Sequence, residues 1–213
     1  LVYVPGRKNV VGVRYSAADE RVLFWDFDAQ RLQARIDRAI PGRVNVIHSS
    51  SDGGRLHIVK SSSVAHPPQW SLFDEQDGRM LVIGKAYPGL EGTVLATSRE
   101  TFLTARDGKE FSAFLTVPND RAPRELPLIL FPHGGPASHG RDWFNYWTQW
   151  FVSRGWAVLA PRFRGTEGYG DEFLRTAFQR WGLEMQDDVT DAVQWAIRSG
   201  LASAHRICIV GSG

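Results

Sequence analysis

The sequence predicts an α/β chain: antiparallel strands come first, then a parallel-rich sheet flanked by helices. Three observations predict it. Up to about residue 90, short β-rich runs are split by Asp-Gly and Ser-Asp-Gly turns, the chemistry of antiparallel hairpins. Near-continuous apolar runs then appear at 126–131, 156–160 and 206–210, as in strands buried on both faces. Between them lie segments with helical spacing and glycine stops.

In the first part, strands are expected at 9–15, 21–26, 43–48, 56–59, 69–74 and 79–84, the last two separated by Asp77-Gly78. The pattern of strand, acidic or Ser-rich turn, strand nearly repeats. Its second occurrence extends to four strands over roughly 40–45 residues, the length of a propeller blade. Two such units cannot close a propeller of about 4–8 blades. The alternatives are further blades upstream or a small β-sandwich, and the second half of the chain favours the blades.

The second part opens with a hairpin at 102–118 turning at Asp107-Gly108. Residues 126–131 form the first buried strand, and the aromatic-rich stretch 143–154 is expected to be helical and to stop at Gly155. A second buried strand covers 156–160. A short helix is expected at 171–178. A longer one at 184–198 places Val189, Val193 and Ala196 on one stripe and Asp187 and Asp188 near its positive end, with Gly200 to end it. Residues 206–210 form the third buried strand, in which Cys208 reads as a small buried hydrophobe and not as a nucleophile.

The 213 residues are enough for one or two domains with a sizeable core, here divided as 1–90 and 91–213. Hydrophobic residues make up 43% and charged residues 23%, a globular composition. A net charge of +2, with scattered Lys and Arg, argues against nucleic acid as a partner. No apolar stretch approaches the roughly 20 residues of a membrane span, so no membrane partner is expected, and no signal peptide is visible at the start. One cysteine excludes an internal disulfide and is compatible with the cytoplasm. His48, His57 and His66 are scattered over turn-rich segments without ligand spacing, so neither a metal nor another cofactor is expected. The eight Trp are read first as packing residues. The group Trp143, Phe144, Tyr146, Trp147, Trp150 and Phe151 is also a candidate surface for a homo-oligomer.

Three features carry chemistry. His133-Gly134-Gly135-Pro136 follows the first buried strand directly. Two adjacent glycines let backbone N–H groups turn towards a bound atom, which suits an oxyanion hole at Gly134 and Gly135. His133 is read as bracing the loop and not as a base. Arg162-Phe163-Arg164-Gly165-Thr166-Glu167-Gly168-Tyr169-Gly170 implies a loop above the second buried strand, with Arg164 pairing with a carboxylate or lining the site and Tyr169 in support. Val210-Gly211-Ser212-Gly213 is a strand entering a glycine-rich turn, the approach to a nucleophile elbow, Gly-x-Ser-x-Gly. If Gly211 is its first glycine, Gly213 stands where the nucleophile belongs. Ser212 is the alternative, but it would need glycine at 210, where the sequence has Val210.

Together these motifs resemble the prolyl oligopeptidase family, in particular its acylaminoacyl-peptidase and dipeptidyl-peptidase-like branch. The family's His-Gly-Gly-Pro is matched in full by His133 to Pro136. Its Arg-Gly-Ser-x-Gly-Tyr-Gly stretch, with a following Phe and Trp-Gly, is matched by Arg164, Gly165, Gly168, Tyr169, Gly170, Phe173, Trp181 and Gly182. Thr166 replaces the serine, and Arg162 stands where asparagine is usual. The resemblance implies an α/β-hydrolase domain preceded by propeller blades and a serine peptidase acting on short peptides. It assigns an oxyanion donor to the Gly135 N–H. It also implies a Ser/Asp/His triad whose acid and histidine come later in the chain order, so residues 1–213 alone are expected to be part of a longer protein and to show no turnover. A non-catalytic homologue with glycine at the nucleophile position and an esterase of the same fold are the competing readings.

Overall fold

A computed structural model describes residues 1–3, 10–16, 20–135, 137–138 and 143–211. The chain divides into two compact units, Leu1–Val94 and Leu95–Gly213.

The first unit holds two antiparallel sheets. Strands β1 (Val2–Tyr3), β2 (Val10–Ser16) and β3 (Glu20–Phe24) form one. Helix α1 (Phe27–Ala39) follows, and then β4 (Val44–Ser50), β5 (Leu56–Ser63), β6 (His66–Asp74) and β7 (Met80–Lys85) form a four-stranded meander in sequence order. The described residues form no closed propeller. The all-strand reading of this half is corrected at α1. Asp26 caps that helix by accepting a hydrogen bond of 2.8 Å from the Ala29 N–H, and Ala29, Leu32 and Ile36 recur at helical spacing on its buried face. Leu32 and Ile36 pack with Val59 and Phe73 of the meander.

The second unit is built on one five-stranded sheet. Strands β8 (Ser98–Thr104) and β9 (Glu110–Thr116) form the hairpin around Asp107-Gly108. Strand β10 (Leu126–Leu130), helix α2 (Tyr146–Val152), strand β11 (Ala157–Arg162), helices α3 (Asp171–Arg175) and α4 (Glu184–Arg198), and strand β12 (Ala202–Ile209) follow. The strand order is β12-β10-β11-β9-β8. β10 pairs in parallel with β11 and β12, while β9 runs antiparallel to β11 and β8, so the sheet is mixed.

Alternation along β10 explains why its sequence is apolar throughout. Leu128 and Leu130 pack with Met185, Val189, Ala192 and Ala196 of α4. Ile129 turns the other way, with Val152 of α2 and Val158. Helices therefore cover both faces, and the strand needs apolar residues at every position. Among the described residues β12 pairs with β10 alone, and Cys208 and Ile209 are exposed. The aromatic helix is also shorter than expected. Asn145 caps α2 by accepting from the Thr148 N–H at 3.1 Å, which sets its start past Trp143. Tyr146, Trp147, Trp150 and Phe151 form a chain of ring contacts, and the Arg154 guanidinium lies 4.0 Å from the Trp150 ring centroid.

Candidate active site

Strand register brings the first and third motifs to one end of the sheet. Leu130 on β10 is opposite Ile209 on β12, and the Val210 N–H donates to the Leu130 carbonyl at 3.0 Å. Both parallel strands then leave the sheet together. A side chain at Gly211 would begin 3.7 Å from the Pro132 carbonyl, one residue before His133. Ser212, Gly213 and Pro136 lie outside the described residues.

Gly135 adopts φ 139°, and a Cβ there would meet the Ala137 N at 3.0 Å and the Ser138 Cβ at 3.2 Å, so this turn suits glycine. His133 is flanked on both ring nitrogens. Nδ1 lies 2.9 Å from the Gly134 carbonyl oxygen and Nε2 lies 2.8 Å from Thr166 Oγ1. The ring stacks on Phe163 at 4.5 Å between centroids. Burial lowers the imidazole pKa below its ordinary value; the hydrogen bond to Gly134 opposes this, and the charge of Arg162 adds to the lowering. A cleft of about 330 Å³ opens beside it, with Gly135, Phe163, Trp181, Met185 and Ile209 among its walls.

Arg164 does not line that cleft. Its guanidinium is buried between two carboxylates, donating to Asp188 through Nε at 2.8 Å and Nη2 at 2.6 Å, and to Asp107 through Nη1 at 2.8 Å. The Arg164 backbone N–H also donates to Asp188 at 2.9 Å. These bonds hold the Asp107 carboxyl down at about 2 and raise the guanidinium pKa. Arg106 repeats the device, reaching Asp191 at 2.9 Å and Asp187 at 2.9 Å. The hairpin turn, the glycine-rich loop and α4 are thus tied by one ionic network. Asp188 was not singled out from sequence as the partner of Arg164. The available signal was an acid set among Met185, Val189 and Ala192, the core-facing residues of α4.

Tyr169 reaches the hairpin instead. Its hydroxyl lies 3.1 Å from Ser112 Oγ on β9 and donates to Glu100 on β8 at 3.1 Å, and burial raises its pKa. Arg162, at the end of β11, places its guanidinium 4.2 Å from the Phe114 ring centroid.

The fold has counterparts among solved structures. The puromycin-hydrolyzing peptidase of Mycobacterium tuberculosis superposes with a TM-score of 0.72 at 20% identity, covering 95% of this chain and 31% of that one. The acylaminoacyl peptidase of Pyrococcus horikoshii gives 0.60 at 22% identity, covering 78% and 27%. At these identities the likeness is one of fold.

The sequence is similar to members of one family. Residues 142–212 match the model of the prolyl oligopeptidase family. The chain is 33% identical over 178 residues to dipeptidyl aminopeptidase BIII of Pseudoxanthomonas mexicana, covering 80% of this chain and 26% of that protein. It is 25% identical over 201 residues to dipeptidyl peptidase family member 6 of Caenorhabditis elegans, covering 84% and 27%. The family match includes the Arg164–Gly182 motif, and the chain spans about a quarter of the length of these two relatives.

Proposed function

We propose that the protein to which this chain belongs is a serine-type peptidase of the prolyl oligopeptidase family that hydrolyses short peptides. The first unit would contribute blades of a β-propeller and the second the opening strands of an α/β-hydrolase domain. The observation that supports this reading is the β10–β12 register, which sets Gly211 beside Pro132. An oxyanion loop and a nucleophile elbow must converge on one carbonyl, and adjacent strand ends leaving the same side allow that. In this reading the Gly135 N–H stabilises the charge that develops on the substrate carbonyl oxygen. A serine from the elbow attacks the carbonyl carbon, and a histidine takes the serine's proton and returns it to the leaving amine.

A second reading rests on Gly211-Ser212-Gly213: if Gly211 is the first glycine of the elbow, Gly213 takes the nucleophile position and the protein is a non-catalytic homologue. A fluorophosphonate probe separates the two. Intact mass of the whole protein showing one covalent adduct, mapped to the elbow, supports the peptidase. A folded protein that forms no adduct and cleaves no peptide anilide overturns it in favour of the homologue.

A further inference from the structure

The four-stranded meander gathers basic side chains at one end. Strands β4 and β6 begin there, and β5 and β7 finish there: Val44 is opposite Ser62, Ser63 is opposite His66, and Gln69 is opposite Lys85. Arg43 stands one residue before β4, His66 opens β6, and Lys85 ends β7, so the three share that end. They line a cleft of about 290 Å³, with Pro67, Pro68, Tyr87 and Leu90 also among its walls. Every wall belongs to the first unit.

The three bases bring unequal charge to the cleft. The Lys85 ammonium is bound to the Glu91 carboxylate. His66 engages Ser63 Oγ through Nδ1 at 2.7 Å. Burial, helped by the charge of Arg43, lowers the imidazole pKa, so the ring is mostly neutral at pH 7. Arg43 differs from both. It is half-buried, and among the described residues no carboxylate or other acceptor is bonded to its guanidinium. Arg106 and Arg164, by contrast, are each held by two carboxylates. A partly desolvated charge without a counter-charge is costly, and an anion in the cleft offsets that cost.

The walls select among anions. One unneutralised positive charge matches one negative charge, and the planar fork of a guanidinium binds a carboxylate through two parallel N–H···O bonds. Phosphate sites are lined by free backbone N–H groups. Here Pro67 and Pro68 have none to give. The N–H groups of Leu90, Glu91 and Thr93 are used inside their own turn, donating to the carbonyls of Tyr87, Pro88 and Leu90 at 3.1, 3.2 and 3.1 Å. The prolines, Tyr87 and Leu90 instead offer apolar surface to the body of an organic acid.

We infer that this cleft is a binding site for a small organic monocarboxylate, whose carboxylate pairs with the Arg43 guanidinium and whose apolar body lies against Pro67, Pro68 and Leu90. The site lies wholly in the first unit and stands whether or not the protein is a peptidase.

The test uses hippurate, an aromatic acyl-glycine with one carboxylate, on the full-length protein, with its uncharged amide hippuramide and inorganic phosphate as controls. Calorimetry should give a Kd for hippurate of about 0.1–1 mM, as expected for a ligand of its size. Arg43→Gln should weaken binding by about 10- to 100-fold, and Arg43→Lys, which keeps the charge without the fork, should fall between the two. Hippuramide and phosphate should each bind at least about 10-fold more weakly than hippurate. Phenylglyoxal modification mapped by peptide mass reads the same site in the wild type. Hippurate at about ten times its Kd should slow modification of Arg43 by about 10-fold. Hippuramide binding as tightly as hippurate overturns the carboxylate pairing, and phosphate binding more tightly overturns the choice of ligand. Hippurate binding that survives Arg43→Gln puts the ligand elsewhere and overturns the site. If neither variant folds, the wild-type protection experiment decides: modification of Arg43 that saturating hippurate does not slow overturns the proposal.

Discussion

Gly165 links the glycine-rich loop to the core at one atom. Its φ is 96°, and a Cβ there would stand 2.5 Å from the Ala177 Cβ, closer than side chains approach. Gly170 has a similar φ of 94° but no heavy atom within reach of a Cβ. Gly170→Ala therefore carries backbone strain alone, about 1–3 kcal/mol, while Gly165→Ala adds overpacking of a further 1–3 kcal/mol or so. Thermal denaturation of the two variants should rank Gly165→Ala well below Gly170→Ala; equal melting temperatures would remove the close approach as the reason for glycine at 165. The glycines and His133 were legible in the sequence because local backbone chemistry demands those residue types. Asp188 was not, because an acid in a helix declares its partner only when the fold brings Arg164 to it across 24 positions.

Helix α1 shows what an element owes to its cap and its stripe. Its residues are strong helix formers, with Asp26 before them and Ala29, Leu32 and Ile36 on one side. The β-rich runs on both sides hid a signal that the spacing itself contained. Removing the cap in Asp26→Ala should lower stability by about 1 kcal/mol, within a range of roughly 0.5–2. Urea denaturation followed by far-UV circular dichroism reads it, and an unchanged midpoint would mean that packing of Leu32 and Ile36 on Val59 and Phe73 alone holds the helix. Strands β10 and β11 were legible for the opposite reason: burial on both faces imposes a continuous apolar run that no surface element needs. Strand β12 carries the same kind of run and pairs in parallel with β10.

Across the whole molecule, acid should act through carboxylates held by arginines. Hydrogen bonds from Arg164 hold Asp107 at about 2, and hydrogen bonds from Arg55 hold Asp74 at about 2; Asp191 is lowered by Arg106 against the opposing effect of burial. The unfolded chain titrates such groups near about 3.9. A carboxyl whose pKa is lower in the folded state gives stability that is fully present above its unfolded value and lost as pH falls through its folded one. The denaturation midpoint should therefore change little from pH 7 to about 5 on account of these groups, and fall between about pH 4 and 2. Asp107 and Asp74 sit in different compact units, so each unit should carry its own share of this loss. Asp107→Asn separates the network from the rest. The variant should be less stable than wild type at pH 7, because Arg164 keeps only Asp188 as a charged partner, and the gap should close as pH approaches 2 and the wild-type carboxyl takes up its proton. A gap that persists unchanged from pH 7 to 2 would show that Asp107 contributes through the shape of its turn and not through its charge.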